Sequence, residues 1–356
     1  MTRETPQQSE VRNARRKGRG PTIADVARLA GVSPMTVSRV VNGQASVLPQ
    51  TRETVEEAIR KLGYVPNLAA RSLAGGRQFR IALLYANPSA AWLSEFLVGA
   101  LAEASAADAQ LLVEQWVEGE ASDVTIKRLM DHRIDAVLLP PPLADNAALI
   151  SDLRGAGLPV AQVAAGAPSD LAHAVTIDDE AAAHAVTTRL IAWGHRRIGF
   201  IAGSPDQTAS ALRQAGYVRA LGEAGITANA DWVMQGDFTF RSGLAAGLHL
   251  LGQPSRPTAV FASNDDMAAG AVAAAHRLRL EIPAHVSICG FDDTAIATAT
   301  WPELTTVRQP VADMARRATR LLVEALDGVA PKGSPRHLRL EFALVGRGSD
   351  GPPLDS

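Results

Sequence analysis

The chain of 356 residues contains one cysteine, Cys289, and so it cannot form a disulfide within itself. A near absence of cysteine is typical of proteins that work in a reducing compartment. No apolar run approaches the ~20 residues that cross a bilayer, and the polar, basic first 20 residues lack the apolar segment of a secretory signal. We therefore expect a cytoplasmic protein with no membrane partner.

Patterns that carry catalysis or bind metals are missing as well. The 8 histidines show no metal-ligand spacing, and neither a phosphate-binding loop nor a GxGxxG motif follows a strand-like run. No Ser–His–Asp order can be read from the sequence, and His195 in GHRRI is more typical of a residue that fixes a loop. We expect no enzyme activity, no cofactor and no metal site.

Positive charge is concentrated at one end of the chain. Residues 1–77 carry 13 Lys and Arg against 6 Asp and Glu, a formal charge of +7, and the remainder carries −9. Residues 1–20 show no apolar periodicity, which predicts a disordered basic arm. A basic head on an acidic body indicates that the head alone binds a polyanion such as DNA.

Residues 22–64 have the pattern of three short helices separated by tight turns. Thr22 is a good N-cap for the first helix, and Asp25, three residues later, completes a capping box. Glycines follow the first and the third helix, where a left-handed residue commonly ends a helix. We expect helices from about Thr22 to Gly31, Ser33 to Val41 and Gln50 to Leu62.

The first two helices and their turn, DVARLAGVSPMTVSRVVNG (25–43), form the strongest motif of the sequence. A helix, a tight glycine-containing turn and a second helix are the arrangement that reads the DNA major groove. Three valines give the second helix its core face, which leaves Pro34, Met35, Ser38 and Arg39 to project. The alternative is a small helical domain that only packs on itself, but the basic charge and Arg39 favour DNA binding.

From Arg80 onwards, apolar strand-like runs alternate with helix-like segments. This alternation predicts parallel sheets with crossover helices. The runs fall into two groups, which indicates two similar Rossmann-like subdomains. The expected strands are 81–85, 110–116, 136–140, 159–164, 197–203, 232–238, 258–265 and 287–293.

Several segments together resemble one family of regulators. TIADVARLAGVSPMTVSRVVNG (22–43) resembles the helix-turn-helix of the lactose-repressor (LacI) family, and GYVPNLAARSLAGG (63–76) is similar to its hinge. GHRRIGFIAG, ALRQAGY, FASNDDMAAGA, GFDDT and PELTTVRQP resemble motifs of its regulatory domain, in order. The resemblance covers about residues 21–347. It implies an N-terminal all-α helix-turn-helix domain and an α/β periplasmic-binding-protein-like domain of two Rossmann-like subdomains.

The expected domain organisation has five parts. They are a basic arm (1–20), the helix-turn-helix domain (21–65), a hinge helix (66–77), an effector-binding and dimerisation domain (78–347) and a tail (348–356). Within the effector-binding domain, one subdomain is expected from 78–177 and 309–337, and the other from 178–308 and 338–347.

The resemblance implies DNA contacts for the helix-turn-helix. Base contacts are implied for Pro34, Met35, Ser38 and Arg39. An arginine can donate two hydrogen bonds to guanine, whereas proline and methionine can pack on a thymine methyl group. Phosphate contacts, which position the helix without specifying sequence, are implied for Thr22, Ser33, Thr36 and Asn42. For Thr22 and Ser33, helix capping alone is the alternative.

In the hinge, the resemblance implies that Leu73 inserts into the minor groove and kinks the duplex. Asn67, Ala70 and Ala74 would flank it. The alternative is that Leu73 is only the apolar face of a linker helix. We expect the hinge helix to order on DNA in a dimer, which would couple a distant ligand to DNA affinity.

The body is expected to bind its ligand in the cleft between the two subdomains, where strands end. The resemblance implies effector contacts for Arg213, Asn264 and Asp292, and a stacking role for Phe238. An arginine with carboxylates, an amide and an aromatic ring suits a sugar.

Further polar and aromatic residues follow strand-like runs and are candidates for the same site. They are Asp265, Tyr85, Asn87 and Trp92. For Asp265 and Asp292 the alternative is capping of the next helix. Ala164 stands where some family members have Asp, which argues against a familiar hexose pose.

These features predict a transcriptional repressor that binds a pseudo-palindromic operator as a homodimer and is switched by a small molecule, a sugar or sugar derivative. A sugar-binding transport receptor is the first alternative, against which the basic head and the missing secretory signal count. A sugar-converting enzyme on the same scaffold is the second, and it lacks a catalytic constellation.

Overall fold

The computed structural model describes residues 21–41, 47–64, 78–87, 89–117, 119–328 and 335–354. The predicted arm (1–20) and the whole of the predicted hinge (66–77) lie outside these ranges. The chain divides into two compact units, residues 1–78 and 79–356. Among the described helices, none combines the length and apolar character that a membrane crossing needs.

The first unit contains three helices, α1 (Ile23–Ala30), α2 (Pro34–Val41) and α3 (Pro49–Leu62). The Thr22 hydroxyl accepts a hydrogen bond from the Asp25 N–H, and the Asp25 carboxylate accepts one from the Thr22 N–H at 2.9 Å, so the predicted capping box forms. Gly31 ends α1 in the left-handed conformation, at φ 69°. The helices share a small core of Val26, Ala27, Val37, Val40, Val55, Ala58 and Tyr64.

The second unit contains two parallel sheets. The first subdomain holds the sheet in the order β11-β5-β4-β3-β1-β2, and the second holds the order β7-β6-β8-β9. All pairs within these two sheets are parallel, which confirms the predicted α/β class. The strands are β1 (Arg80–Tyr85), β2 (Gln110–Gln115), β3 (Ala136–Leu139), β4 (Val160–Val163), β5 (His173–Thr176), β6 (Ile198–Ala202), β7 (Val233–Gln235), β8 (Ala259–Ala262), β9 (Ser287–Cys289), β10 (Thr306–Arg308), β11 (His337–Arg339) and β12 (Ala343–Val345).

Helices cover these sheets. They are α4 (Ala90–Ala106), α5 (Ser122–Asp131), α6 (Ala147–Gly155), α7 (Asp179–Ala192), α8 (Thr208–Glu223), α9 (Phe240–Leu251), α10 (Asp265–Arg277), α11 (Ala295–Ala299) and α12 (Val311–Leu326), with 3₁₀ turns at Leu143–Asp145 and Ala230–Trp232. The largest core combines buried residues of both subdomains, such as Phe96 and Phe200.

The chain passes between the two subdomains three times. The first passage follows β5, and the second follows β10, which pairs antiparallel with β12. The third follows β11, because its residues pair with β5 up to Arg339↔Thr176 and the Leu340 N–H donates to the Thr176 carbonyl. Leu338 and Arg339 therefore lie in the first subdomain, and the passage comes slightly later than the boundary expected at about residue 337.

The segment expected to be a tail packs into the second unit as far as it is described, residues 348–354. Ser349 is fully buried, and its hydroxyl accepts from the Thr305 N–H and donates to the Ile288 carbonyl. The Asp350 carboxylate accepts hydrogen bonds from Arg189 at 2.6 Å and Trp193 at 2.7 Å. Hydrogen bonds tie these residues into the second unit, so residues 348–354 do not form a free tail.

Candidate DNA-reading helix and effector cleft

Helix α2 has one buried face and one exposed face. Val37 and Val40 are buried against the other two helices. Pro34, Met35 and Arg39 are exposed, and Met35 keeps 63% of its accessible surface. A large apolar side chain exposed at the start of a helix is available to a partner. Three of the four predicted base-reading residues thus share the exposed face, and Ser38 is half-buried.

The predicted phosphate contacts coincide with helix caps. Ser33 Oγ accepts from the Thr36 N–H at 3.1 Å, so Ser33 caps α2 as Thr22 caps α1. Both residues are exposed and Thr36 is half-buried, so capping leaves Thr22 and Ser33 accessible. The remaining DNA candidates lie outside the described residues: Asn42, Asn67, Ala70, Leu73 and Ala74.

A small chamber lies between the two subdomains of the second unit, and its volume is about 30 Å³. Most of its lining residues follow strands or begin helices, as expected for a ligand site in an α/β fold. We call it the inner chamber. It is lined by Asn87, Ser89, Trp92, Pro141, Ala164, Gln207, Ala209, Arg213, Phe238, Asn264, Asp292 and Gln309.

Arg213 is the buried cation of this chamber, with 4% of its surface exposed. Its Nε donates to the Asp179 carboxylate at 2.8 Å, and its Nη1 donates to the Ser263 carbonyl at 2.5 Å. The guanidinium carbon lies 3.6 Å from the centre of the Phe291 ring, a cation–π contact. These contacts fix the guanidinium in one orientation beside the chamber.

Asp292 faces Arg213 across 3.8 Å and is buried. Burial raises the pKa of Asp292 to about 7, although Arg213 and a hydrogen bond from Gln309 act in the opposite direction. The Gln309 Nε2 donates to the Asp292 carboxylate at 2.5 Å, while Gln309 Oε1 is buried without a hydrogen-bond partner. An unsatisfied buried acceptor beside a chamber suits a ligand hydroxyl donor.

Three lining residues have left-handed backbone that non-glycine residues rarely adopt. They are Ala164 (φ 55°), Phe238 (φ 66°) and Asp292 (φ 112°). Such conformations persist where the surrounding structure imposes them, and they cluster at functional sites. Gly203 makes room for the Phe238 ring, because a Cβ on Gly203 would lie 1.9 Å from the ring.

Asn264 and Asp265 are adjacent but have different surroundings. Asn264 lines the chamber, caps α10 by accepting from the Met267 N–H at 2.9 Å and donates to the Phe238 carbonyl. Asp265 does not line the chamber. Its carboxylate accepts from the Thr294 N–H at 2.9 Å and the Thr306 hydroxyl at 2.7 Å.

The chamber therefore brings together six of the eight predicted effector residues. They are Arg213, Asn264, Asp292, Phe238, Asn87 and Trp92. Tyr85 and Asp265 are not among its lining residues. Sequence reasoning missed Ser89, Gln207 and Gln309. Gln309 directly follows β10, so the rule of polar residues after strands could have found it.

Two hydrogen-bonded contacts connect the subdomains across the cleft. The Ser89 hydroxyl, in the first subdomain, donates to Asp266 of α10 at 2.6 Å. The Asp145 carboxylate, also in the first subdomain, accepts from the N–H and the hydroxyl of Thr208, at 3.1 Å and 2.5 Å. Thr208 begins α8, the helix that carries Arg213. These contacts hold the cleft in a closed arrangement.

Two family models match the chain. Residues 22–67 match the model for bacterial regulatory proteins of the lacI family, and residues 187–349 match that of the periplasmic binding protein-like domain. The HTH-type transcriptional regulator GalS of Salmonella typhimurium is 37% identical over 86% of this chain and 90% of its own length. The chain belongs to the lacI family.

Solved structures agree with this membership. A structure of the transcriptional regulator CelR in complex with cellobiose matches with a TM-score of 0.71 and 34% identity, covering 92% of this chain and 99% of CelR. A lac repressor dimer bound to operator and the anti-inducer ONPF matches with a TM-score of 0.74 and 29% identity, covering 93% and 99%. This lacI-family chain is thus a helix-turn-helix transcriptional regulator.

Proposed function

We propose that this lacI-family regulator represses transcription by binding a pseudo-palindromic operator as a homodimer, under the control of an uncharged or weakly charged sugar in the cleft. Pro34, Met35, Ser38 and Arg39 read base edges in the major groove. Thr22, Ser33, Thr36 and Asn42 contact phosphates. In the hinge, Leu73 enters the minor groove, flanked by Asn67, Ala70 and Ala74.

The observation that carries the proposal is the exposed face of α2. Met35 and Arg39 lie one helical turn apart on a helix whose valines form the domain core. An exposed apolar and an exposed cationic side chain on one helix face suit a groove that offers thymine methyl groups and guanine acceptors. The net charge of +7 over residues 1–77 supplies the attraction to phosphates.

The inner chamber offers the groups that a sugar ring requires. A guanidinium has five N–H donors, so Arg213 can donate to a hydroxyl while it keeps its bonds to Asp179 and Ser263. Asp292 and Gln309 Oε1 can accept from hydroxyl groups, and the Phe238 ring offers an apolar face. We assign sugar contact to these four side chains together with Asn264.

Both subdomains contribute to the chamber, so a ligand there changes the balance between closed and open arrangements of the cleft. We infer that this balance controls DNA affinity, because differential binding to two arrangements is what allows a ligand to shift an equilibrium.

The dimer is supported by an exposed apolar surface as well as by the lac repressor relative, which is a dimer on its operator. Val98 and Leu101 lie one turn apart on α4 and are 59% and 51% exposed. Val113, on the edge strand β2, is 49% exposed. Exposed large apolar side chains on a helix and an edge strand of this subdomain are available to a second copy of the chain.

We further propose that the protein acts in the cytoplasm, where its DNA partner is, and that it has no enzyme activity of its own. Relatives such as GalS and CelR are named HTH-type transcriptional regulators. Within the described ranges, no group of three or more acidic, histidine or cysteine side chains is arranged to hold a metal.

The test is the Arg39→Ala variant of the full chain, measured on a duplex selected from a random pool by the wild type. Loss of a bidentate guanine contact should weaken specific binding about 10- to 100-fold, since such a contact contributes about 1–3 kcal/mol. Binding to unselected DNA should change much less. Arg60→Ala, which removes the same charge from an exposed position on α3, is the matched control. Equal losses for both variants on selected and unselected DNA would contradict base reading by α2.

A further inference from the structure

The cleft contains a second and larger chamber beside the inner one. This outer chamber has a volume of about 790 Å³, within the range of ligand clefts. The inner chamber, at about 30 Å³, has room for about one water molecule. Gln207 is shared by the linings of both chambers. The outer chamber can therefore accept a sugar-sized group without rearrangement, whereas the inner one must widen first.

The outer chamber is formed by residues of both subdomains, and Trp116 provides an aromatic wall. Trp116 directly follows β2. Its backbone N–H donates to the Tyr85 carbonyl at 2.9 Å, which fixes its backbone at the cleft end of the sheet. Its side chain is half-buried against the core of the first subdomain. Aromatic rings combine a large apolar face with a fixed orientation, which suits the C–H face of a pyranose.

Hydrogen-bonding groups surround this aromatic wall. Gln115, Asn146 and Ser204 contribute amide and hydroxyl groups that can both donate and accept. Such groups match the mixed donor and acceptor character of sugar hydroxyls.

The charges of the two chambers exclude one class of ligand. Arg213 is the one cationic side chain among the described residues that line them. Its charge is already opposed by Asp179 at 2.8 Å and Asp292 at 3.8 Å. The outer chamber adds Asp145, Asp206 and Asp237, with no lysine, arginine or histidine in its lining. A phosphate or carboxylate would enter a site of net negative charge in which the one cation is already paired with carboxylates.

We propose that the outer chamber is a second saccharide subsite, so that the effector is an uncharged saccharide of at least two rings. One ring contacts Arg213 and Asp292 in the widened inner chamber, and the next ring stacks on Trp116. This inference rests on the proposed sugar-controlled function and specifies the size and charge of the sugar. Sugar phosphates and uronic acids are excluded as effectors.

The test uses the full chain in titration calorimetry with a panel of named probes. They are glucose, galactose, cellobiose, maltose, lactose, glucose 6-phosphate and glucuronate. At least one disaccharide should bind about five- to tenfold more tightly than its constituent monosaccharides, since the second ring gains a stacking contact with Trp116. The two anionic probes should bind more weakly than glucose.

Variants at Trp116 locate the second ring. Trp116→Ala should remove the advantage of the disaccharide and leave monosaccharide affinity unchanged, and Trp116→Phe should restore most of that advantage. Trp301→Ala is the matched control, because Trp301 is 81% exposed and lies outside both chambers. Unchanged binding of selected DNA shows that each variant is folded.

The outcomes separate this inference from the function on which it rests. Equal affinity for one and two rings, tighter binding of an anionic probe, or an equal loss of both sugars in Trp116→Ala would overturn the second subsite while a sugar effector stands. If none of the seven probes binds the wild type, the proposed sugar control fails as well.

Discussion

The Asp292 carboxyl group lies beside Arg213, and burial raises its pKa to about 7 against the opposing effect of that arginine. A ligand hydroxyl donates a stronger hydrogen bond to the ionised carboxylate of Asp292 than to the protonated carboxyl group. Binding therefore competes with a proton, and the effector should lower the pKa of Asp292 when it binds.

We predict that effector affinity rises with pH between 6 and 8 and then levels off. With a pKa of about 7, about a tenth of Asp292 is ionised at pH 6, so the affinity there should be lower than at pH 8, by up to about tenfold. Calorimetry with the tightest-binding saccharide at several pH values measures this. The Asp292→Asn variant should bind more weakly and show no such rise, and a rise of equal size in that variant would place the titrating group elsewhere.

Asp292 also makes the stability of the fold depend on pH, in the opposite direction to effector affinity. A pKa raised above the unfolded value of about 3.9 stabilises the protonated folded state, so this contribution is present in acid and is lost as the pH rises through about 7. The difference in stability between wild type and Asp292→Asn without ligand should follow this course.

At the scale of single residues, the sequence motifs predicted residues that line the inner chamber, but they did not separate these from neighbours that bond elsewhere. Arg213, Asn264, Asp292 and Phe238 all line it. Asp265 was expected beside Asn264, but consecutive residues after a strand point to different sides, and its carboxylate bonds to Thr294 and Thr306 instead. Such a choice between neighbours depends on partners far away in the sequence.

At the scale of elements, helix α8 depends on the other subdomain for its cap. Gln207 precedes α8 and provides no side-chain hydrogen bond to its first turn. The Asp145 carboxylate, from the first subdomain, accepts from the Thr208 N–H instead. A carboxylate at a helix N-terminus satisfies free N–H groups and interacts favourably with the helix dipole. The cap exists only while the cleft is closed.

We predict that Asp145→Ala shifts the unliganded cleft towards an open arrangement. Loss of a cap costs about 1 kcal/mol, which should lower effector affinity about three- to tenfold and increase the radius of gyration in small-angle scattering. The exposed Asp152 on α6 offers Asp152→Ala as a matched control. Thr208→Val should not add its full effect to that of Asp145→Ala, because the two side chains share one contact. Independent effects of the two substitutions would argue against a cross-cleft cap.

The helices of the first unit could be predicted closely, because caps and glycines mark their ends. Eight strands were also located from their apolar runs, including β7 and β9, which have three residues each. The strands β5, β10, β11 and β12 were not predicted. Both β11 and β12 are partly exposed, so they show neither a continuous apolar run nor a clear alternation.

At the scale of the whole molecule, the DNA-binding part of the chain and the regulatory part carry net charges of opposite sign. Residues 1–77 carry +7 and the remainder carries −9. The acidic body repels a polyanion, so attraction to DNA is confined to the basic part of the chain.

We predict that salt separates the two binding activities. Raising the salt concentration from 50 to 200 mM should weaken DNA binding by about a factor of 10³, since each dimer would displace several counterions. Affinity for an uncharged saccharide should change less than about twofold, because it involves no exposed ion pair. Filter binding and calorimetry at matched salt concentrations measure the two. A DNA affinity that is independent of salt would contradict a phosphate-bound head.

The whole fold class could be predicted because its motifs occur in a fixed order along most of the chain. The packing of residues 348–354 into the second unit could not be predicted, since GSDGPPL is polar and rich in glycine and proline, as loops are. Their partners, Arg189, Trp193 and Thr305, lie far away in the sequence.

The burial of Ser349, Asp350 and Gly351 has a consequence for synthesis. The Gly351 carbonyl lies 2.9 Å from His195 Nε2 and accepts from the Ser287 hydroxyl, and Ser349 accepts from the Thr305 N–H. On the ribosome, these partners are translated before the residues that satisfy them. A nascent chain that stops before Ser349 leaves the Thr305 N–H, the Ile288 carbonyl and the Ser287 hydroxyl without these partners, so the second subdomain can complete its polar core only after residues 349–351 have been made.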